Sequence, residues 1–440
     1  MLRRLFSAAL AVLLTAGCLT SCNYVASEPR DLLLAPTATG VMGEIQKALY
    51  DYAGRGITLR FPRSGDNRTA FFLCDLDRDG SDEAVAFYAN ASSDENGVDT
   101  VHINLIDRVD GVWRSVYDAA TTGNAIDKVE VADISGGGPM TLMVGVELFT
   151  SMGNQLNLYT YENGALTQHA QENYTQFLVY DLMGTGNNQL ILLSLDAAER
   201  MSTVTVYTFN GDAIERRGVV ATDGNISGYA QVTEGQLEGG RPALFLDANK
   251  SAVSMVTDVI YYAENGLVSP FYDVNLGESQ MTLRNSTDVC RDINGDGVIE
   301  IPFTEMLPGY ASRSEADRLY LTVWKSFDGQ RFRDQLRADY FRAAGYRLAF
   351  PAAWVGSVTV VSDSSTRMRS YRVWDPEQQT TGAEILRIRA YEIEAFDRIQ
   401  PEGVLELARN ETTVWAARLV MTEGEYALTE ETLRALFALE

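Results

Sequence analysis

The sequence predicts an all-β protein: a β-propeller of about five four-stranded blades, followed by a small α+β C-terminal domain. Two recurring markers predict this fold. The first is an apolar run ending in a tight acidic or glycine-rich turn, at Asp75, Asp133, Asp181, Gly235 and Asp292. The second is an Asn-Gly or Asp-Gly pair 29 to 36 residues later, beginning at Asp110, Asn163, Asn210, Asn265 and Asp328. Because the two independent markers recur together five times at similar spacing, they indicate a repeat array.

Each repeat contains short runs that are rich in β-branched and aromatic residues. In the first repeat these runs cover residues 71–74, 83–88, 101–106 and 112–117. The Asn-Gly and Asp-Gly pairs predict two-residue type I′ turns between the last two strands, since both central residues of that turn have positive φ. Four strands in about 50 residues are typical of a propeller blade rather than a sandwich strand or a solenoid coil.

The first 22 residues have the pattern of an export signal. Arg3 and Arg4 precede an apolar run at residues 5–14, which is too short for a permanent membrane span. The following Leu-Thr-Ser-Cys ends at Cys22 and resembles a bacterial lipobox, which implies lipidation of Cys22. Cys18 is a second candidate, and an ordinary secretory signal is the alternative. We therefore expect the membrane to be a partner through an N-terminal lipid, on the extracytoplasmic face of the cell membrane.

The rest of the chain divides into three predicted regions. Residues 23–56 form a tether and a short amphipathic helix at 43–52, with Ile45, Leu49 and Tyr52 on one face. Residues 57–342 form the propeller. Residues 343–440 form the α+β domain, whose last helix has Thr429 as its N-cap, and we expect this domain to fold alone.

Charge and cysteine content exclude some functions. The chain has 60 acidic and 36 basic residues and a formal net charge of -24, which opposes nucleic-acid binding. After removal of the signal only Cys74 and Cys290 remain, one and two residues before their turns. They should therefore point to opposite faces of equivalent strands, and we expect two buried free thiols rather than a disulfide.

Two of the repeated turns have the spacing of metal ligands. Oxygen side chains occupy positions 1, 3, 5 and 9, glycine occupies position 6, and the position-7 carbonyl adds a ligand. Ca²⁺ takes about six to eight such oxygens. An EF-hand and a dockerin are both disfavoured, because position 12 is Ala86 in one turn and Phe303 in the other. The candidate ligands are Asp75, Asp77, Asp79, Ser81 and Glu83 in the first turn, and Asp292, Asn294, Asp296, Val298 and Glu300 in the fifth.

A strand, this acidic turn and a second strand, in units of about 50 residues, resemble the FG-GAP/VCBS repeat of integrin-like propellers. The resemblance covers roughly residues 57–342 and implies structural Ca²⁺ at the ten positions named above. The other three turns differ. In the same positions the second has Asp133, Ser135, Gly137, Pro139 and Thr141, the third has Asp181, Met183, Thr185, Asn187 and Gln189, and the fourth starts at Gly235. They keep the turn but lack the charge to hold a cation.

Catalytic motifs are scarce in this sequence. It has only two histidines, His102 and His169, and no nucleophile elbow, P-loop or dinucleotide fingerprint, so we expect a protein that is not an enzyme. Its expected role is a binding or scaffold module for a protein or glycan ligand. The alternative is a cell-envelope glycan hydrolase or lyase that uses a carboxylate pair. Aromatic residues such as Trp113 and Trp324 fit either a sugar-stacking surface or the hydrophobic core.

Overall fold

The computed structural model describes residues 40–90, 100–121, 123–148, 153–162, 164–399 and 401–440. Cys22 and the signal segment lie outside these residues. The chain forms two compact units. The first contains the described residues of Met1–Arg60, Thr69–Cys74 and Asp82–Thr121. The second contains those of Phe61–Arg68, Asp75–Ser81 and Thr122–Glu440.

The first unit packs one helix on one antiparallel sheet. Its elements are α1 (Val41–Ala53), β1 (Thr58–Leu59), β2 (Phe71–Cys74), β3 (Glu83–Ala89), β4 (Val101–Val109) and β5 (Val112–Ala120). The strand order is β1-β3-β4-β5, and β2 also pairs with β3. Ile45 and Leu49 of the helix are fully buried against the sheet, as the amphipathic pattern predicts. Tyr52, predicted on the same face, is instead 56% exposed.

The second unit contains three four-stranded antiparallel sheets in which consecutive strands are neighbours. The first has β6 (Gly123–Ala132), β7 (Thr141–Leu148), β8 (Asn154–Glu162) and β9 (Ala165–Tyr174). The second has β10 (Gln176–Tyr180), β11 (Gln189–Asp196), β12 (Met201–Phe209) and β13 (Ile214–Thr222). The third has β14 (Gly228–Gln236), β15 (Pro242–Asn249), β16 (Met255–Ala263) and β17 (Gly266–Val268). The prediction of four-stranded units is confirmed for these repeats.

A short hairpin and two larger sheets complete the second unit. The hairpin is β18 (Tyr272–Asp273) with β19 (Glu278–Ser279). One sheet has the order β20 (Ile301–Met306), β21 (Tyr320–Phe327), β22 (Phe332–Phe341), β23 (Tyr346–Ala349) and β29 (Phe437–Leu439). The other has the order β24 (Val358–Asp363), β25 (Met368–Asp375), β26 (Thr380–Glu392), β28 (Thr413–Leu419) and β27 (Leu405–Arg409). Single-turn 3₁₀ helices lie at Glu315–Asp317, Arg342–Ala344 and Ala352–Trp354.

The C-terminal region adds two α-helices, α2 (Ile393–Ile399) and α3 (Glu430–Leu436). Thr429 caps α3 as predicted, because its Oγ1 accepts the backbone N–H of Thr432 at 3.1 Å. The predicted boundary between residues 342 and 343 falls inside one sheet, since β22 pairs with β23. One hydrophobic core also spans that boundary: Leu321 and Phe341 pack in the same cluster as Trp354. None of the described helices is long and apolar enough to cross a membrane.

The hairpin turns follow the type I′ prediction at only one of the described pairs. Asp110 and Gly111 both have positive φ, 53° and 76°, and Val109 pairs with Val112 around them. At Asn210 and Asp328 the prediction is wrong, because the loops contain four residues. In each loop the first side chain accepts two backbone N–H groups, at 2.8–3.0 Å, so the side chain closes the turn. At Asn265 the two-residue loop lies one position earlier, since Ala263 pairs with Gly266.

The fourth of the acidic or glycine-rich turns also starts later than the sequence predicts. Gly235 lies within β14 and pairs with Ala243. The turn covers residues 237–241, where the N–H of Leu237 donates to the carbonyl of Arg241 at 2.8 Å. A Cβ at Gly235 would come within 2.3 Å of Ile299, so this glycine serves close packing rather than a turn.

Candidate metal sites in the acidic turns

The first acidic turn is built by carboxylates that accept N–H groups of their own turn. Asp75 Oδ2 accepts the N–H of Gly80 at 3.1 Å. Asp77 Oδ1 accepts that of Asp79 at 3.1 Å, and Asp79 Oδ1 accepts that of Ser81 at 2.7 Å. The alternating acids and the glycine at position 6, with φ 92°, therefore shape the turn directly.

Three carboxylates of the continuous stretch 75–83 come close together. Ligand oxygens of Asp75, Asp77 and Glu83 all lie within 4.8 Å of one another, so this group can hold a metal ion. Asp75 Oδ1 is buried and has no hydrogen-bond partner among the described residues. Asp79 and Ser81 are exposed, and Asp79 is not part of the group.

The fifth turn has the same internal hydrogen bonds. Asp292 Oδ1 accepts the N–H of Gly295 at 2.7 Å, and Oδ2 accepts that of Gly297 at 2.8 Å. These N–H groups, that of Gly297 foremost, hold the pKa of Asp292 below its ordinary value. Asp296 Oδ1 accepts the N–H of Val298 at 2.8 Å, and Asp296 Oδ2 accepts the side-chain amide of Asn294 at 3.0 Å. These four predicted residues therefore lie in one hydrogen-bonded turn. The structure does not bring the carboxylates of Asp292, Asp296 and Glu300 within 4.8 Å of one another, as it does for those of the first turn.

Glu300 at position 9 is the unusual residue of the fifth turn. Its side chain is fully buried, and Oε2 accepts the N–H of Ile293 at 3.0 Å. Oε1 is also buried and has no hydrogen-bond partner in the described part of the chain. Burial, together with the charges of Asp296 and Asp292, raises the pKa of Glu300. A buried carboxylate oxygen without a donor is costly, so the position suits a cation.

The second turn shows how an acidic position is stabilised without an ion. Asp133 accepts the N–H groups of Ser135, Gly136 and Gly137, each at 2.9 Å. The guanidinium of Arg78 lies 2.6 Å from Asp133 Oδ2. Burial alone would raise the pKa of Asp133, but Arg78 and Ser135 outweigh it and lower the pKa to about 2. A fixed cationic side chain therefore supplies the positive charge.

The third turn replaces the acid at position 9 with an amide. Gln189 Oε1 accepts the N–H of Met183 at 2.9 Å, and Nε2 donates to the carbonyl of Asn187. The same Nε2 lies 3.4 Å from Asp181 Oδ1. At position 9 the third turn thus has an amide that donates its own hydrogen bonds, whereas the fifth turn has Glu300, whose Oε1 lacks a donor. This difference is expected if the fifth turn holds a cation and the third does not.

The sequence did not reveal the network behind the fifth turn. Arg284 and Asp247 are both fully buried, with Nη2 and Oδ1 2.8 Å apart, and Asp247 Oδ2 accepts the N–H of Cys290 at 2.7 Å. These partners are far apart in the chain, and no spacing rule connects them. Neither Cys74 nor Cys290 forms a disulfide, as predicted. Cys290 is fully buried, but the prediction of a buried thiol is wrong for Cys74, which is partly exposed. Burial raises the pKa of the Cys290 thiol.

No family model matches the chain, and no curated protein matches it by sequence. Solved structures with similar folds are β-propeller proteins. The exotype rhamnogalacturonan lyase YesX is 13% identical, with 80% of this chain and 66% of the lyase covered and a TM-score of 0.30. The periplasmic gluconolactonase PpgL of Pseudomonas aeruginosa is 14% identical, with 73% and 86% covered and a TM-score of 0.29. The β-propeller domain of the Trilobed protease from Pyrococcus furiosus is 7% identical, with 73% and 89% covered and a TM-score of 0.28.

These comparisons correct the prediction that the protein is not an enzyme, and they do not test the FG-GAP/VCBS resemblance. The expectation that the protein is not an enzyme is wrong, because propellers similar to this chain include enzymes, among them the lyase and the lactonase. At such low identity and TM-scores, no activity of these proteins is transferred to this chain. The FG-GAP/VCBS resemblance finds no matching family model and stays a prediction.

Proposed function

We propose that this chain is a lipid-anchored, extracytoplasmic binding protein with an FG-GAP/VCBS-like propeller, in which Ca²⁺ in the first and fifth acidic turns stabilises the fold. The proposed ring contains the five repeats of residues 57–342. Support comes from the repeated four-stranded sheets, from the carboxylate group of the first turn and from the arrangement of the fifth.

The buried and unpartnered Oε1 of Glu300 is the observation that carries the calcium proposal. Asp292 and Asp296 lie in the same turn, and their negative charges act on Glu300. Among the described residues, these three carboxylates form no ion pair like the one between Arg78 and Asp133 in the second turn. A divalent cation would neutralise this charge and supply the missing partner. The candidate ligand atoms are all oxygens, which Ca²⁺ prefers, and these residues would hold the ion in a structural role.

The expected energy of each ion is modest. Extracellular calcium modules bind with dissociation constants of about 10⁻⁴–10⁻³ M. At millimolar Ca²⁺ each site then adds about 1 kcal/mol to the free energy of unfolding. The proposed ions therefore act as local clamps, whose loss lowers stability without unfolding the protein.

Glu300→Gln tests the fifth site, because it installs the residue that the third turn has naturally. We expect the variant to bind one Ca²⁺ fewer than the wild type in calorimetric titration. In chelator its melting temperature should equal or exceed that of the wild type, since a buried carboxylate is removed. Addition of Ca²⁺ should stabilise it by about 1 kcal/mol less than the wild type.

Two further variants complete the calcium test. Asp77→Ala/Asp79→Ala should remove the ion of the first turn and leave that of the fifth. Asp181→Asn in the third turn is the matched control and should leave the number of bound ions unchanged. Equal calcium stoichiometry in the wild type and in Glu300→Gln would rule out the fifth site.

The lipid anchor is tested separately with Cys22→Ser in the producing bacterium. We expect the wild-type protein in the membrane fraction and the variant in the soluble extracytoplasmic fraction, because the serine cannot accept the lipid. Cys18→Ser is the control and should remain with the membrane. Membrane retention of Cys22→Ser would contradict anchoring at this residue.

A further inference from the structure

We propose that a cleft in the first unit, between α1 and the β4–β5 turn, is a binding site for a neutral saccharide. We call it the helix–turn cleft. Its volume is about 670 Å³, within the range of roughly 300–1,000 Å³ that is typical of small-molecule sites. The residues that carry the argument are Glu44, Lys47, Asp51, Tyr52, Trp113 and Arg114.

The charges of the helix–turn cleft favour an uncharged ligand. Glu44 and Asp51 on α1 are balanced by Lys47 and Arg114, and Lys47 Nζ lies 2.6 Å from Asp51 Oδ2. An anionic or cationic ligand would have to compete with these opposite charges. A hydroxyl group both donates and accepts hydrogen bonds, so it can use carboxylates and cationic groups together. A ligand with many hydroxyls therefore matches this lining better than an ion does.

Tyr52 gives the helix–turn cleft an exposed aromatic surface. Tyr52 is 56% exposed although the helical pattern places it with Ile45 and Leu49, so its ring is left available at the cleft. Trp113 is 6% exposed and packs in the core beneath α1. The apolar C–H face of a sugar ring can pack on the Tyr52 ring while the sugar hydroxyls reach the polar residues. Paired charges beside an exposed aromatic ring thus select a saccharide over a purely apolar ligand.

A buried hydrogen-bond network orients one more polar group of the lining. Ser115 Oγ accepts a hydrogen bond from Asn104 Nδ2 at 2.8 Å, and the same Nδ2 lies 2.9 Å from Asp118 Oδ2. Asn104 is fully buried, so the sheet interior holds the Ser115 hydroxyl in this orientation. Because Ser115 accepts from Asn104, its own hydroxyl proton can be donated to a ligand oxygen. Gly111, at the tip of the turn, leaves open space where a side chain would stand.

Saturation-transfer NMR with the full chain tests this site. The probes are cellotriose, maltotriose, mannotriose and xylotriose, with trigalacturonate and trilysine as charged comparisons. We expect at least one of the neutral trisaccharides to bind more tightly than both charged probes. Tyr52→Ala should weaken that binding by about tenfold or more, because it removes the exposed stacking surface. The substitution should leave the fold intact, because the Tyr52 side chain is more than half exposed and alanine has the highest helix propensity.

Phe61→Ala is the matched control, since Phe61 is 57% exposed and does not line the helix–turn cleft. It should bind the trisaccharide as the wild type does. Circular dichroism and melting temperature should be similar for both variants. The inference is overturned if none of the neutral trisaccharides binds, if a charged probe binds more tightly, or if Tyr52→Ala binds with wild-type affinity. These binding measurements do not depend on whether the acidic turns bind Ca²⁺ or whether Cys22 carries a lipid, so the saccharide proposal can fail while the proposed function stands.

Discussion

Arg284→Met is expected to lower the free energy of unfolding by about 3–5 kcal/mol. The guanidinium and the Asp247 carboxylate are both fully buried, with 2.8 Å between Nη2 and Oδ1. Arg284 also donates to the carbonyl of Asp288 at 2.7 Å and to Thr257 Oγ1 at 2.8 Å. Methionine fills similar volume but leaves Asp247 as a buried charge without its cation. Urea unfolding followed by tryptophan fluorescence measures the loss.

Two control variants separate charge from packing. Arg409→Met breaks a solvent-screened surface pair with Glu406 and Asp397, and should lower stability far less than Arg284→Met does. Arg284→Met/Asp247→Leu removes both buried charges and should recover part of the stability. A loss in Arg284→Met no larger than that in Arg409→Met would show that the buried pair contributes little.

The same network has a consequence for the proposed calcium site. Asp247 Oδ2 accepts the N–H of Cys290, only two residues before the fifth turn begins at Asp292. Its Oδ1 accepts the hydroxyl of Thr257 at 2.5 Å, which ties the segment before the turn to β16. Arg284→Met therefore also tests whether the fifth turn, which is formed by local hydrogen bonds, depends on the buried network that holds the residues just before Asp292.

Local features of this fold could be predicted from the sequence. The two strands that flank the first turn and the strand β20 that follows the fifth turn follow from short apolar runs, and the turns follow from Asp and Gly at fixed spacing. No strand precedes the fifth turn in the described residues, where Arg291 forms only an isolated bridge to Glu300. Thr429 as an N-cap and the Asp110–Gly111 hairpin are equally local. In each case the side chain or the permitted φ acts within a few residues, so the sequence alone contains the relevant information.

Features that depend on distant partners could not be predicted. Arg78 lies in one turn and neutralises Asp133 of the next, and no spacing rule predicts this contact. The strand β29 joins β23 only because the end of the chain returns to that sheet. Gly235 shows a related difficulty: a glycine needed for close packing against Ile299 resembles a turn residue in the sequence. Tyr52 follows the helical period but is exposed because the neighbouring hairpin leaves a cleft.

A second large effect is expected from Asp258, which lies on β16. Asp258 is 4% exposed, and its carboxylate accepts the N–H of Asp223 at 2.9 Å and the hydroxyl of Ser279 at 2.5 Å. Burial is the main reason that its pKa rises from 3.8 to about 6, and the charge of Asp223 adds to the rise. Lys250 opposes the rise, but it lies 2.6 Å from Asp223 and is shared with Glu278 at 3.0 Å.

The raised pKa makes a defined contribution to stability against pH. The folded protein holds the Asp258 proton more tightly than the unfolded chain does, so this contribution is complete below pH 3.8 and is lost as pH rises through about 6. The difference between the two pKa values corresponds to about 3 kcal/mol. Asp258→Asn cannot titrate, and its amide can accept from Asp223 and donate to Ser279 Oγ.

We therefore expect the unfolding free energy of the wild type, relative to Asp258→Asn, to fall by about 3 kcal/mol between pH 3.8 and pH 7.5. Subtracting the two curves removes the contributions of the other carboxyl groups. Asp133 is one of these, and because its pKa is lowered to about 2, it stabilises the fold at higher pH instead. A flat curve for Asp258→Asn would mean that the Asp258 carboxylate titrates alike in the folded and unfolded chain. In that case Lys250 would compensate its burial completely, and the charges of Asp223, Asp258 and Glu278 would act as one balanced network.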